Sequence, residues 1–282
     1  MDQRLAVLVT GASTGIGAVT AESLARTGFL TFAGVRTEVD AARIDRSAGV
    51  HPNLRAIRLD VSDAGSIRRA AGEIAESGLP LHGLVNNAGI AVAGPVEFVP
   101  LEEWRRQFEV NLFGAIAVTQ ALLPLVRAAR GRVVFVGSIS GRFSVPYLAP
   151  YCASKFALRA VADALRLETF PMQVRVSLVE PGSVRTPIWA KGRARKDEML
   201  ARIPADAPEV YRRALEVVVR QSEREEALGF APERVAAAIL HALTARRPRA
   251  RYLLGGRARA RAILSLFPSA LADRIVLNAL RQ

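Results

Sequence analysis

Cysteine is nearly absent. Cys152 stands alone, so no internal disulfide can form, and the chain is expected in a reducing, cytoplasmic setting. Beside Tyr151, this cysteine reads as a small filler on the buried side of a helix. Histidine is scarce as well: His51, His82 and His241 lie far apart without ligand-like spacing. No metal is therefore expected. Lysine occurs three times, at Lys155, Lys191 and Lys196, leaving arginine to supply almost all the positive charge. No stretch reads as apolar over the length a bilayer span needs. The apolar run 5–9 is too short for a signal-peptide core and enters a glycine-rich loop, so it reads as a first strand.

What is present points to an α/β protein. The 282 residues are 50% hydrophobic with 21 glycines, enough for one large α/β domain or two small ones with a sizeable core. The formal charge is +13. Residues 246–282 hold nine arginines against one acid, Asp273. Such a tail is ordinarily a solvated surface; the alternative is a basic face for phosphate or peripheral contact with an anionic membrane. Nucleic acid is not expected, because only Tyr252 and Phe267 interleave the arginines and no nucleic-acid motif occurs.

Strand and helix patterns alternate. Strands are expected at 5–9, 30–35, 54–59, 81–85, 132–136, 174–179 and 251–254, with helices after the first loop to 26 and at 63–76, 101–129, 150–169 and 231–245. Asp63 is the expected N-cap of its helix. The alternation predicts a single doubly wound Rossmann-type domain over 1–282 with a seven-stranded parallel sheet, its ligand at the carboxyl ends of the strands. Residues 187–228 read as a lid-like substrate-loop insertion and 255–282 as a C-terminal helical extension.

Thr10-Gly11-Ala12-Ser13-Thr14-Gly15-Ile16-Gly17 links the first strand to the first helix. Its glycines let the backbone approach a pyrophosphate, and the helix N-terminus offers free N–H groups and a positive dipole end. The first two glycines are one residue further apart than in the three-glycine Rossmann fingerprint. Tyr151 and Lys155, four apart, share one helix face. Three lysines and four tyrosines in the whole chain make a chance pairing of this kind rare. An ammonium beside a phenol favours the phenolate, which brings Tyr151 toward acid/base work near neutrality.

The Thr-Gly-x-x-x-Gly-Ile-Gly loop resembles that of the short-chain dehydrogenase/reductase family, and further motifs follow in order over 5–186. Asp60-Val61 resembles the adenine-contacting pair and Asn86-Asn87-Ala88-Gly89 the motif after the fourth strand. Asn111, Ser138, Tyr151 and Lys155 resemble the catalytic tetrad, and Pro181-Gly182 with Val184 and Thr186 the segment beside the nicotinamide carboxamide. The resemblance implies cofactor contacts from Gly11, Ser13, Thr14, Gly15, Ile16, Gly17, Asp60, Val61, Asn87, Ala88, Gly89, Tyr151, Lys155, Pro181, Gly182, Val184 and Thr186. It also implies that Ser138 holds the substrate oxygen, with Ser140 as the competing serine. Lys155 would hold the nicotinamide ribose, and Asn111 a water of a proton relay. A homodimer or homotetramer is implied too.

Relatives that use NAD carry an acid at the end of the second strand. Here Val35 stands there and Arg36 follows. A guanidinium suits a 2′-phosphate, so NADP (NADPH) is the expected cofactor, with NAD as the alternative. The tail and the stretches 32–36 and 179–182 resemble the hydroxysteroid and retinol dehydrogenase branch. This implies a bulky apolar ketone, aldehyde or alcohol as substrate. Trp189, Ile188, Met199 and Tyr211 could line its pocket or merely pack. In the tail, Ile263, Leu264, Leu266, Phe267, Leu271, Ile275, Val276 and Leu280 recur at helical spacing, fit to pack on the body, close a dimer or lie on a membrane. A ketoacyl-thioester reductase and a non-catalytic NADP-binding sensor or scaffold remain the competing readings.

Overall fold

Short valine-rich runs become the strands. A computed structural model describes residues 4–46, 49–264, 267, 270 and 273–275. Its strands are β1 Ala6–Thr10, β2 Leu30–Val35, β3 Leu54–Arg58, β4 Leu81–Asn86, β5 Arg132–Val136, β6 Arg175–Pro181 and β7 Arg251–Leu254. They form one sheet in the order β3-β2-β1-β4-β5-β6-β7, and every pair is parallel. β1 and β2 are buried along their whole length, as parallel strands covered on both faces must be. The edge strand β3 instead buries only Leu54 and Ile57 and leaves Arg55 and Arg58 exposed.

Helices α1 Gly15–Arg26, α2 Glu38–Arg46 and α3 Ala64–Glu76 join the first four strands, and α4 Leu101–Phe108 and α5 Gly114–Ala128 precede β5. Helix α6 Ala149–Glu168 leads into β6. Between β6 and β7 lie α7 Ile188–Arg193, α8 Lys196–Ala201, α9 Glu209–Ala227 and α10 Glu233–Thr244, and α11 Gly256–Leu264 follows β7. One face of the sheet packs Ile67, Ile74, Leu122 and Leu158 of α3, α5 and α6. The other packs Leu24, Val235 and Ile239 of α1 and α10. Each such side chain contributes about 1.5–3 kcal/mol by leaving water. The chain starts at the middle of the sheet, winds out to β3 and returns to β4. Its switch point is therefore the β1/β4 crevice, where a doubly wound sheet binds its ligand.

Asp63 caps α3 as expected, its carboxylate accepting from the Gly65 amide at 2.7 Å. Three features depart from the sequence reading. Helix α2 was not anticipated. The 187–228 insertion is helical, and α9 buries Leu215 with its other described side chains at least partly in contact with solvent. The run Leu101–Ala128 is long and apolar enough to cross a membrane by length and composition, contrary to the expectation that no stretch is. Its buried face, with Val118, Leu122 and Val126, lies against the sheet. In the C-terminal extension, Leu266, Leu271, Val276 and Leu280 lie outside the described residues.

Candidate active site

The loop after β1 is shaped by its glycines. Gly11 and Gly15 hold left-handed φ of 64° and 61°, which glycine adopts at no steric cost. A Cβ on Gly17 would sit 2.2 Å from the Gly11 carbonyl oxygen, so this position excludes every other residue type. The amide of Asn87 donates to the Thr10 and Gly11 carbonyls at 2.9 and 3.1 Å, while the Thr10 hydroxyl accepts from the Asn87 and Ala88 amides, both at 3.0 Å. The Asn86-Asn87-Ala88-Gly89 segment thus braces the loop from β4. Thr186 approaches from the other side, 3.3 Å from where a Gly15 Cβ would stand.

Thr14 is the N-cap of α1, but its side chain makes no capping bond, and the first turn carries no acid. The free N–H groups and dipole end are then open to an anion. Ser13, Thr14 and Ile16 lie along this turn. These residues fit a dinucleotide pyrophosphate. Arg36 stands exposed just past β2, and its charge reaches Asp60. Burial would raise the Asp60 pKa, but two bonds from Ser62 and the attraction of Arg36 outweigh it and hold it low. Val61 packs on Gly114. Arg43 of α2 was not singled out from sequence, yet its guanidinium donates to the Ser13 carbonyl.

The four residues of the expected tetrad converge at the carboxyl ends of β4 and β5. The Ser138 side chain lies close enough to the Tyr151 phenol to lower its pKa. Ser140 instead gives its amide to the Ser138 oxygen at 3.1 Å, and its hydroxyl faces Cys152. Lys155 lies one turn along α6, its Nζ 5.8 Å from the Tyr151 ring centre. Burial lowers its pKa to about 8. Burial also raises that of Tyr151, with the Ser138 side chain opposing. The expected downward pull of lysine on tyrosine is not among the causes of the shift; desolvation of the phenol sets its direction.

Asn111 sits inside a π-helical segment, Glu109–Phe113, between α4 and α5. Such wide turns mark functional positions in helices. Its carbonyl accepts from the Ile90 amide at 2.8 Å, and its amide donates to the Ile90 carbonyl at 3.0 Å and to Ser154 at 3.2 Å. Gln107, fully buried, makes parallel bonds to Val92, Ile90 and Ser154. Sequence reasoning missed it, because a buried glutamine on a helix has no local signature. Gly89 borders Asn111. Pro181, Gly182 and buried Val184 continue from β6 toward the site, and Val184 pairs with Phe230.

The insertion is tied to Val184, to Glu97 and Phe98, and to Glu103 of α4. Trp189 donates its indole N–H to the Val184 carbonyl at 2.7 Å. Tyr211 donates to Glu97 at 2.7 Å and sets its edge on Phe98. Arg195 forks onto Glu103 of α4 at 3.0 and 3.1 Å, which with Arg106 and Arg202 holds that carboxyl below the usual range against its own burial.

Residues 5–197 match the family model described as short chain dehydrogenase. The chain is 36% identical to the mitochondrial D-beta-hydroxybutyrate dehydrogenase of Bos taurus, over 97% of this chain and 84% of the relative. It is 34% identical to the NADPH-dependent 3-dehydrocapnine reductase of Ornithobacterium rhinotracheale, over 98% and 97%, and 37% identical to retinol dehydrogenase 5 of Mus musculus, over 96% and 86%. Among solved structures it resembles a short chain dehydrogenase from Burkholderia cenocepacia in complex with NADP (TM-score 0.73, 25% identity, 96% of this chain and 97% of that one). A short chain dehydrogenase/reductase from Burkholderia phymatum in complex with NAD is similarly related (TM-score 0.79, 25% identity, 93% and 92%). The chain therefore belongs to the short-chain dehydrogenase family and is an NAD(P)-binding oxidoreductase acting between alcohols and carbonyl compounds.

Proposed function

We propose that the protein is an NADP-preferring reductase or dehydrogenase for a bulky apolar ketone, aldehyde or alcohol, with Tyr151 as its general acid/base. The observation that carries this reading is the grouping of Ser138, Tyr151 and Lys155 at the strand ends, beside the loop where Gly15 meets Thr186. Held by these residues, a nicotinamide dinucleotide would supply or take up the hydride at the carbonyl carbon. The Tyr151 hydroxyl gives the proton to the carbonyl oxygen, or removes it from the alcohol. Ser138 steadies the charge developing on that oxygen. Lys155, kept as an ammonium below about pH 8, favours the phenolate left on Tyr151 and faces the ribose. Asn111 ties Ile90 to Ser154 of α6 and holds the outlet of the proton path.

Arg36 and Arg43 flank the adenosine end with two guanidinium groups, which supports a 2′-phosphate and hence NADP. The name of the Ornithobacterium relative, which includes NADPH, agrees with this. Half-buried Ile188, Trp189 and Met199 of the insertion supply an apolar wall suited to a bulky substrate. The names of the relatives range from hydroxybutyrate to retinol, so the reading is tested on a panel. It comprises ketosteroids, retinal, medium-chain aldehydes, acetoacetate and acetoacetyl thioesters, with NADPH oxidation as readout. Turnover of the thioesters alone would replace the apolar-carbonyl reading with the ketoacyl reductase. NADPH binding without any turnover would favour the sensor. Assembly as a homo-oligomer through α5 and α6 is part of the proposal. Exposed Phe113 and Phe156 on that side support it. Peripheral membrane contact through the extension is the further part, supported by exposed Ile263, Phe267 and Ile275 among its arginines.

A further inference from the structure

Glu180 is a carboxylate with 1% exposure at the end of β6, directly before Pro181-Gly182. A buried carboxylate persists only where its charge is matched and its lone pairs are filled. Arg142 provides both. Its Nε donates to Oε1 at 2.7 Å and its Nη2 to Oε2 at 2.5 Å. A two-pronged arginine–carboxylate contact fixes orientation as well as charge. Neither residue has a part in the cofactor contacts or proton transfers described above.

Their place in the chain gives the pair its meaning. Ser138 is the N-cap of a single 3₁₀ turn, Ile139–Gly141, and Arg142 closes it, donating its amide to the Ile139 carbonyl at 2.9 Å. Ser138 and Arg142 are thus the two ends of one short turn. On one side the turn lies against α6: a Cβ on Gly141 would meet the Lys155 carbonyl oxygen at 2.8 Å. Arg159, one helical turn beyond Lys155, adds a donor to the Gly141 carbonyl at 3.4 Å. On the other side the turn meets β6: the Gly137 amide donates to the Val179 carbonyl at 2.8 Å. The turn is wedged between the helix that carries Tyr151 and the strand that carries Glu180.

We propose that Arg142 and Glu180 are positioning residues whose ion pair clamps the Ser138 turn onto β6 and so fixes the Ser138 hydroxyl against Tyr151. The inference rests on the reading of Ser138 and Tyr151 as the acting pair. Arg142→Lys keeps the charge and loses the fork. Glu180→Gln keeps the shape and loses the charge.

The test reads Tyr151 directly. Tyrosinate absorbance of the full chain is followed from about pH 8 to 12, spanning the phenol range, and the Tyr151→Phe variant isolates the Tyr151 contribution. The Ser138 side chain pulls the ionisation of Tyr151 down against burial, and Lys155 and Cys152 are the other groups facing the ring. Ser138→Ala should therefore move the midpoint up. Arg142→Lys and Glu180→Gln should each move it the same way, and neither should move it further in the Ser138→Ala background. NADPH oxidation with retinal and acetoacetate as probes gives the parallel cycle. Arg142→Lys should lower kcat roughly tenfold, leave KM for NADPH unchanged, and cost nothing more once Ser138 is alanine. Should Arg142→Lys fail to fold, the isosteric Glu180→Gln carries the same prediction. A wild-type midpoint in the folded clamp variants, or a shift that adds in full to that of Ser138→Ala, overturns the proposal. A wild-type midpoint in Ser138→Ala itself overturns the underlying reading and the clamp with it, so the two failures are told apart.

Discussion

The ammonium of Lys155 donates to the Val136 carbonyl at 2.9 Å from a site only 5% exposed. A positive charge has been carried into the end of the sheet, and the fold bears the cost. Burial lowers the Lys155 pKa from 10.5 to about 8. The folded state therefore holds this proton less tightly than the unfolded chain. Below pH 8 both states are protonated and the penalty is complete, about 3 kcal/mol for a shift of this size. Between pH 8 and 10.5 the folded state sheds the proton first, and stability rises. Lys155→Met should be more stable than the parent at pH 7 in nucleotide-free urea unfolding, with the gain shrinking as the pH approaches 10.5. Turnover should be lost. A variant less stable than the parent at pH 7 contradicts the account.

The adenosine end makes a second prediction. Arg36 stands where its charge reaches Asp60, and Arg43 anchors on the Ser13 carbonyl. Arg36→Asp should replace attraction for a 2′-phosphate with repulsion and offer a carboxylate to ribose hydroxyls. The ratio of kcat/KM for NADPH over NADH should fall by about tenfold to a hundredfold. An unchanged ratio would remove Arg36 from the phosphate site.

The insertion is latched by Glu103. Its carboxylate receives the Arg195 fork and lies 4.0 Å from Arg202. Glu103→Gln should weaken that attachment, raise KM for the carbonyl substrate about tenfold, and speed proteolytic cleavage within 187–228. The latch weakens as pH falls through the lowered pKa of this carboxyl. Cleavage at the parent's rate in the variant would mean that other contacts hold the insertion.

Much of this architecture was written in local patterns. The strands are short valine- and leucine-rich runs between glycines, and the parallel order follows from their alternation with helices. Gly11, Gly15 and Gly17 declared a phosphate loop, and the spacing of Tyr151 and Lys155 declared a shared face. What escaped had weak or distant signals. Helix α2 buries only Ala41 and Ile44, and α9 has Leu215 as its one fully buried position among the described residues, so both read as polar, charged segments. The π-helical turn at Asn111 changes hydrogen bonding without changing composition, and apolar periodicity does not register it. Arg142 and Glu180 stand 38 residues apart and meet only because β5 and β6 are neighbours. The direction of the Tyr151 shift escaped for a related reason: desolvation depends on what the fold packs around the phenol.

Whether Tyr151 passes the proton is read out by NADPH oxidation by Tyr151→Phe beside the wild type, across the same panel of ketosteroids, retinal, aldehydes, acetoacetate and acetoacetyl thioesters. Loss of the hydroxyl removes the acid while leaving the phosphate loop untouched. In that variant kcat should fall by about a hundredfold to ten-thousandfold, with NADPH binding by fluorescence unchanged within about twofold. Wild-type turnover in Tyr151→Phe, on any carbonyl that the parent reduces, would contradict Tyr151 as the acid.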